Sequence, residues 1–578
     1  MNETSYEIHN ERVDDIPLLV QMLQQMGVDE EIDAVTPRHG NRLGLSVGET
    51  AVAWLTYIVS ESDHRLSFVE PWAEQHIETL RCVLSEQVRT KDLTDDALAD
   101  VLKVMSDDWK WEVMEERFNR RHLRAFRLPT EKVRLDATAV AMHHNQEGSA
   151  LIAYGKSKDH RPDLAQVKVF IAGLDPLALP LATTVVSGNR ADDRLYIPAI
   201  ERVRATVGKR GLLYVGDSKM EALATRAYVV QGGDYYLHPL SKKGESGQQL
   251  EHCVNLALKD PSQLTIIEER EQAAPDKEKW LVRGREWRHS QSAEIDGELV
   301  TWKERLLLFQ SRPLQERQRR GLEKRLTRAI GRLERLTPPP KQGCKQFREL
   351  APLQEEVNAI LAKYRVEAFV EVIYHEEVKE RHVRKYGNRP AHIERTVRYW
   401  IEVKVDAEAI EAAHQLMGWR LLVTNAPASR LSLADAVRTY RGNAPTIERL
   451  FSRLKGRPLG LRPVYVRRDD HIKGLIRLLT IALRLLTLIE FVVRRALEDL
   501  DEALPGLFPG NPSRLTSRPT AERLLRAFKG IDLTIVTLPQ RSIQHITPLS
   551  PLQNRILQLL KFSDSIYTSL AHAEPIPI

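Results

Sequence analysis

The sequence predicts an α/β protein: a mixed sheet flanked by helices, preceded by a helical domain and interrupted by an inserted α+β domain. Three observations predict it. Residues 14–126 keep the helix period, beginning with Ile16, Leu19, Val20 and Leu23. Past Pro129, short alternating or wholly apolar runs replace that period, with a helical stretch between them. From 241 to 415 the pattern breaks into Arg-rich helix and long alternating segments, and the apolar run Leu421-Leu422-Val423-Thr424 then resumes the sheet.

The elements follow in order. Residues 47–59 and 97–105 continue the first helical region. Residues 107–127 mix Trp109, Trp111 and Phe118 with Arg117, Arg120, Arg121 and Arg124. That stretch reads either as a basic, aromatic-studded arm or as a solvated charged face packed through its aromatics. Strands are expected at 133–140, 167–171 and 181–186, a helix at 196–207, a strand at 212–215, a helix at 218–229 and a strand at 235–238. Residues 301–336 read as one long amphipathic helix striped by Leu322, Leu326, Ala329, Leu333 and Leu336, ended by Pro338-Pro339-Pro340. Strands at 366–373 and 397–405 complete the insertion. Helices are expected over 433–500, then a small helical tail. The domains are thus expected at 1–128, 129–240, 241–415, 416–500 and 501–578, the second and fourth forming one core.

Composition bounds the function. A chain of 578 residues with 42% hydrophobic and 28% charged residues can build several cores. The net charge of +6 permits a nucleic-acid partner without pointing to one. Cys82, Cys253 and Cys344 lie far apart with no metal-ligand spacing, which argues against a disulfide framework or a structural zinc and for a reducing cytosol. The polar, acidic first residues do not resemble a secretory signal. The most apolar stretch, 475–493, contains Arg477, Arg484 and Glu490, which a membrane span would disfavour; a buried helix with one wet edge is expected instead.

Three carboxylates stand out. Asp136 lies midway along an alternating strand, where an ionised group needs a partner or a metal. Asp217 ends an apolar strand directly before a helix, at the strand edge where α/β sheets bind ligands; an N-cap would explain it equally. Glu448 shares a helix face with Ser452 and Lys455, opposite Ile447, Leu450, Phe451 and Leu454, and alone would read as a solvated side chain. Brought to one site, three carboxylates would suit Mg²⁺, which prefers hard oxygen ligands. Spacing by itself does not bring them together.

Several ordered segments carry a resemblance. They are Gly44-Leu45-Ser46-Val47-Gly48-Glu49, Ser62-Asp63-His64-Arg65-Leu66, Leu135-Asp136-Ala137-Thr138, the run from Tyr154 through His160, Arg161 and Pro162 to Asp163, Gly188-Asn189, Tyr214-Val215-Gly216-Asp217-Ser218, and Tyr440-Arg441-Gly442 through Ile447-Glu448-Arg449-Leu450-Phe451 to Leu454-Lys455. Together they resemble DDE transposases of bacterial insertion sequences, in the subgroup with a long insertion between the second Asp and the Glu and a Tyr-Arg-Glu-Lys motif. The resemblance covers about 14 to about 500.

It implies an RNase H-like core in which Asp136, Asp217 and Glu448 are the catalytic and metal-binding carboxylates for Mg²⁺ or Mn²⁺, with two ions expected. It implies DNA contact by Lys455 and, through the tyrosine and arginine of the motif, by Tyr440 or Arg441. Tyr440 stands eight residues before Glu448, one more than is usual, and Ala444 stands where the family places an arginine. Lys219, His160 and Arg161 are further candidate DNA contacts, the first beside a helix N-terminus. Other candidate DNA surfaces are the N-terminal helical domain, the Arg-rich helix near 312–335 and residues 457–468. The expected partners are the element's terminal inverted repeats and target DNA, held by a homodimer in the bacterial cytosol. A nuclease or resolvase without strand transfer, and a non-catalytic DNA-binding protein derived from a transposase, are the alternatives.

Overall fold

The computed structural model describes residues 6–571 except 37–43, 145, 146, 158–160, 270–279, 296, 342, 343, 345, 386, 388, 389, 443, 539 and 540. The chain opens with strand β1 (Glu7–Arg12). Among the helices that follow are α1 (Val47–Glu61), started by a Ser46–Glu49 capping box, and α2 (Asp108–Ala125), whose Asp107 accepts the Lys110 amide. Then come β2 (Lys132–Ala141), β3 (Gln166–Asp175), β4 (Leu179–Ser187), α3 (Tyr196–Val207), β5 (Leu213–Val215) and β6 (Tyr235–Pro239). Strands β7 (Thr265–Glu269), β8 (Trp280–Ile295) and β9 (Glu298–Ser311) lead to helices α4 (Arg312–Leu333) and α5 (Leu350–Tyr364) and the hairpin of β10 (Val370–Val383) and β11 (His392–Val405). The chain returns through β12 (Trp419–Thr424), α6 (Leu433–Gly442), α7 (Ala444–Lys455) and α8 (Asp469–Asp499), and ends near β13 (Asp532–Leu538) and β14 (Arg541–Ile546).

Nine strands form the central sheet in the order β4-β3-β2-β5-β6-β12-β9-β8-β7. Strands β2, β5 and β6 run parallel, and every other neighbouring pair is antiparallel. Alternation divides the sheet between two cores. Leu213, Val215 and Leu237 join Ala436 and Val437 of α6 on one face, while Tyr214 and Tyr236 join the larger core that holds α8. Beyond β9, residues Leu322, Leu326 and Ala329 of α4 pack with Leu353 and Val357 of α5 and Ile401 of β11 in a separate core.

Four expectations need correction. The sequence places an inserted domain over 241–415, but β7, β8 and β9 from that stretch extend the main sheet. The helix expected from 301 starts only at Arg312; the run Leu306 to Phe309 is buried on both faces between β12 and β8, and such an apolar run reads alike as strand or helix. The expected helical tail contains β13 and β14, which join β1 in a three-stranded sheet that ties the two ends of the chain together. Finally, α8 has no wet edge at its arginines. Arg484 is fully buried and donates to Glu115 (2.6 Å) and the Pro180 carbonyl (3.1 Å), while Arg477 donates to the Met105 carbonyl (2.9 Å) and pairs with Asp108. The aromatic α2 follows the packed reading in part: Trp111 and Phe118 are buried and Arg117, Arg120 and Arg121 pair with Glu31, Glu116 and Glu30, but Trp109 is exposed. Among the described residues, no helix is long and apolar enough to cross a membrane.

Candidate active site

The register of the parallel strands sets two carboxylates side by side. Arg134 of β2 lies opposite Val215 of β5, so Asp136 and Asp217 each stand two residues further, at the same level of neighbouring strands. Asp136 is half-buried, and its Oδ1 accepts the Ala137 amide (2.8 Å). Asp217 caps the turn that follows β5, its Oδ1 accepting the Lys219 amide (2.8 Å) and the Tyr196 hydroxyl (2.7 Å). Its N-cap role and its place at the strand edge therefore coexist.

Tyr196, the first residue of α3, is nearly fully buried and meets Phe170 edge-on with 5.2 Å between ring centroids. Burial, together with the negative charge of Asp217 and Asp136, holds its phenol well above the usual range, so it stays a proton donor. Gly216 permits this contact, because a Cβ there would come within 2.8 Å of Met220 and 3.1 Å of the Tyr196 ring.

Helix α7 lies against β2 and turns its apolar side inward: Ile447, Leu450, Phe451 and Leu454 are all buried. Glu448 is on the exposed side, yet lines one cavity of about 500 Å³ with Asp136 and Asp217. Arg317 of α4, Arg420 of β12 and Tyr440 and Arg441 of α6 line the same cavity. One arginine of the Arg-rich α4 thus faces the carboxylates. Tyr440 accepts from Arg420 (3.2 Å), and Arg441 pairs with Glu268 of β7 (2.8 Å). Arg134, also at the cavity, is buried, pairs with Asp175 at the end of β3 (3.3 Å) and braces α6 through the Thr439 carbonyl.

The remaining predicted residues divide. Lys455 reaches the Ala139 carbonyl (3.4 Å), three residues along β2 from Asp136. Lys219 is exposed beside Asp217. Arg161 pairs with Asp163 (2.7 Å) on the surface and is not among the residues lining the cavity. His160 lies outside the described residues. Sequence reasoning missed Tyr196, Arg420 and Glu268. None carries a local signal, since a tyrosine opening a helix and an arginine within a strand are ordinary in either place.

The donor set is chemically suited to a divalent cation: carboxylate oxygens from mid-β2 and from just past the end of the adjacent β5, with further oxygens across the cavity. The three carboxylates are arranged openly. Among the described residues, no group of three or more His, Cys, Asp or Glu is close enough to hold a metal ion.

Fold and site together define an α/β protein with an acid-floored, arginine-rimmed cavity built from sequence-distant elements. A family model described as a transposase DDE domain matches residues 128–485, and the chain belongs to that family. The match runs from just before β2 into α8, and so includes all three carboxylates. A search of curated proteins finds no match. Among solved structures, a cryo-EM structure of piggyBac transposase in a synaptic complex with hairpin DNA is similar at 8% identity and a TM-score of 0.35, covering 90% of this chain and 81% of that one. At that score the likeness carries no weight for fold or function.

Proposed function

We propose that this protein is a DNA transposase that binds the ends of an insertion sequence, cleaves DNA there, and joins the freed 3′-hydroxyls to target DNA by in-line phosphoryl transfer. The observation that carries the reading is that Asp136, Asp217 and Glu448, drawn from β2, the end of β5 and α7, line one cavity. The parallel trio β2–β5–β6, flanked by antiparallel strands, supports an RNase H-like reading of the core.

Asp136, Asp217 and Glu448 would hold Mg²⁺ or Mn²⁺, which as a pair supplies an activated water or 3′-hydroxyl and stabilises the leaving oxygen. Both hydrogen bonds to Asp217 end on Oδ1, leaving Oδ2 as its oxygen for an ion. Tyr196 acts as a positioning residue, fixing that carboxylate as partners behind metal ligands commonly do. Glu448, exposed across the cavity, would supply the third carboxylate of the set.

Arg317, Arg420, Arg441, Lys219 and Lys455 place cations around the acids, where they can hold DNA phosphates in register without reading sequence. Arg441 must exchange Glu268 for phosphate to do so. Acting on two ends calls for two copies of the chain, so a homodimer on DNA is part of this reading.

The test is an assay of purified protein with Mg²⁺, a DNA fragment carrying the element's ends and a supercoiled target plasmid. Joined products that disappear in Asp217→Asn support the proposal. Nicks without joined products would reassign the chain as a nuclease, and neither product would leave a DNA-binding protein without chemistry.

A further inference from the structure

A second cavity, of about 790 Å³, opens where the N-terminal helices meet the segment that follows α7. Its volume lies in the range of about 300–1,000 Å³ typical of small-ligand sites. It takes in Asp63, His64 and Arg65 from one of the segments noted in the sequence, for which the carboxylate cavity has no use. From this geometry we infer that the pocket receives an unpaired nucleotide of the DNA substrate, its base stacked on aromatic rings and its phosphate held by arginine. The inference rests on reading the neighbouring carboxylate cavity as a DNA-cleaving site.

The wall chemistry fits a base and a phosphate at once. Tyr57, Phe68, Trp72 and Tyr465 line the pocket, and stacking on aromatic rings is how single strands are held without sequence preference. Phe68 and Tyr465 are 47% and 51% exposed, so their rings are open to a ligand. The Arg65 guanidinium lies 3.9 Å from the Phe68 ring centroid and 5.8 Å from that of Tyr465, a cation set between two stacking surfaces.

Arg457 and Arg462 add positive charge from the other wall. Of the acids present, Asp63 pairs with Arg65 (2.7 Å) and accepts the Tyr57 hydroxyl (2.9 Å), while Glu61 faces the arginines across the pocket.

Two buried polar atoms sharpen the fit. His64 is 1% exposed and Trp72 6%, and neither His64 Nε2 nor Trp72 Nε1 finds a hydrogen-bond partner among the described residues. Buried polar groups are ordinarily satisfied, and the edge of a base offers both donors and acceptors. Burial holds the His64 ring at a pKa of about 4, so it is neutral at physiological pH and offers one donor and one acceptor.

Position supports the same partner. Gly456 of this pocket lies eight residues after Glu448 along and just past α7, about 12 Å at the helical rise. A strand leaving the cleavage site covers that distance in three or four nucleotides at about 3.4 Å per step.

Binding in EDTA, where no cleavage occurs, tests the proposal with the full-length protein. The probes are a blunt 20-base-pair duplex and the same duplex with a four-thymidine extension on either strand, followed by fluorescence anisotropy. Wild type is expected to bind one extended duplex about tenfold tighter than the blunt one. Tyr465→Ala and Phe68→Ala, at half-exposed positions, are each expected to remove most of that preference while the melting temperature holds. Equal affinity for all duplexes, or variants that weaken blunt and extended binding alike, overturns the pocket. Nicking with Mg²⁺, measured separately, keeps the two readings apart. Absent nicking with the preference intact overturns the transposase reading alone, and nicking without preference overturns the pocket alone.

Discussion

Two groups of carboxylates inside this molecule are built in opposite ways. Glu115, Glu304 and Glu490 are each buried and held by arginine: Glu115 by Arg202 and Arg484, Glu304 by Arg226, and Glu490 by Arg449, Arg453 and Arg494. At the cavity, the bonds to Asp217 come from a neutral phenol and a backbone amide, and Glu448 is exposed. A buried anion must be compensated, and arginine does so inside the fold. An anion that faces a cavity and is fixed by neutral donors keeps its charge available for something that arrives from outside. The difference separates carboxylates compensated inside the fold from those left facing a cavity, although the sequence presents both as isolated Asp or Glu.

The largest effect should come from the second group. On the proposed reading, Asp136→Asn or Asp217→Asn removes a charge that would hold the metal, and losing several kcal/mol of transition-state stabilisation is a fall of at least about 10³ in rate. Single-turnover nicking with Mg²⁺ measures it, and thermal melting should shift little because both aspartates line the cavity rather than the closed core that holds Glu115. Appreciable nicking by both variants would erase the distinction between the groups.

Glu115→Gln should do the reverse. It leaves Arg484 fully buried and Arg202 largely so with no counter-charge, a loss of about 3–5 kcal/mol when one partner of a buried pair is removed. The lowest-temperature unfolding transition should drop well below that of wild type. Replacing the pair together, Glu115→Leu with Arg484→Met, should recover part of the loss. If the single variant melts like wild type, these ion pairs are not what holds α8 against α2 and β4.

How much of this was readable beforehand follows the same physics. Strands β2, β3 and β4 were legible as short apolar runs bounded by polar and turn-forming residues, and helix α3 by the period of its one buried face. Strand β1 was not: Glu-Ile-His-Asn-Glu-Arg is mostly exposed and pairs through its backbone, which leaves no pattern in side chains. The start of α4 was misplaced because a strand buried on both faces loses its alternation. At the site, Asp136 and Asp217 could be found from strand position, but Glu448 only through resemblance, since its approach to them is made by the fold. Tyr196 could not be found at all: its role depends on a turn 21 residues away.

Tyr196 tests the comparison from between the two groups, being a buried residue whose partner faces the cavity. Tyr196→Phe keeps the ring packed against Phe170 and removes only the hydroxyl. Losing such a support behind a metal ligand typically costs 10- to 100-fold in metal affinity or activity. The Mg²⁺ concentration for half-maximal nicking should rise by about that factor, with the rate recovering at high Mg²⁺. An unchanged Mg²⁺ requirement would reduce the contact to packing.

The smallest expected effect concerns buried titratable groups hydrogen-bonded to neutral partners. His122 and His238 are fully buried and bonded to backbone carbonyls, those of Met26 and Pro239, and burial lowers both to about 3 from an ordinary 6.5. A histidine lowered in the folded state stabilises the protein above pH 6.5, and that contribution is lost as pH falls toward 3. Asp15 runs the other way. Burial raises it from 3.8 to about 6, so its contribution is full below 3.8 and lost as pH rises through 6. Between pH 6 and 4 the two histidines therefore lose up to about 1.4 kcal/mol each per pH unit while Asp15 returns about as much. Melting temperature should fall gently as pH drops through this window, and more steeply in Asp15→Asn. A profile that is flat in wild type and unchanged in the variant would mean that these groups are not sealed from water as the structure has them.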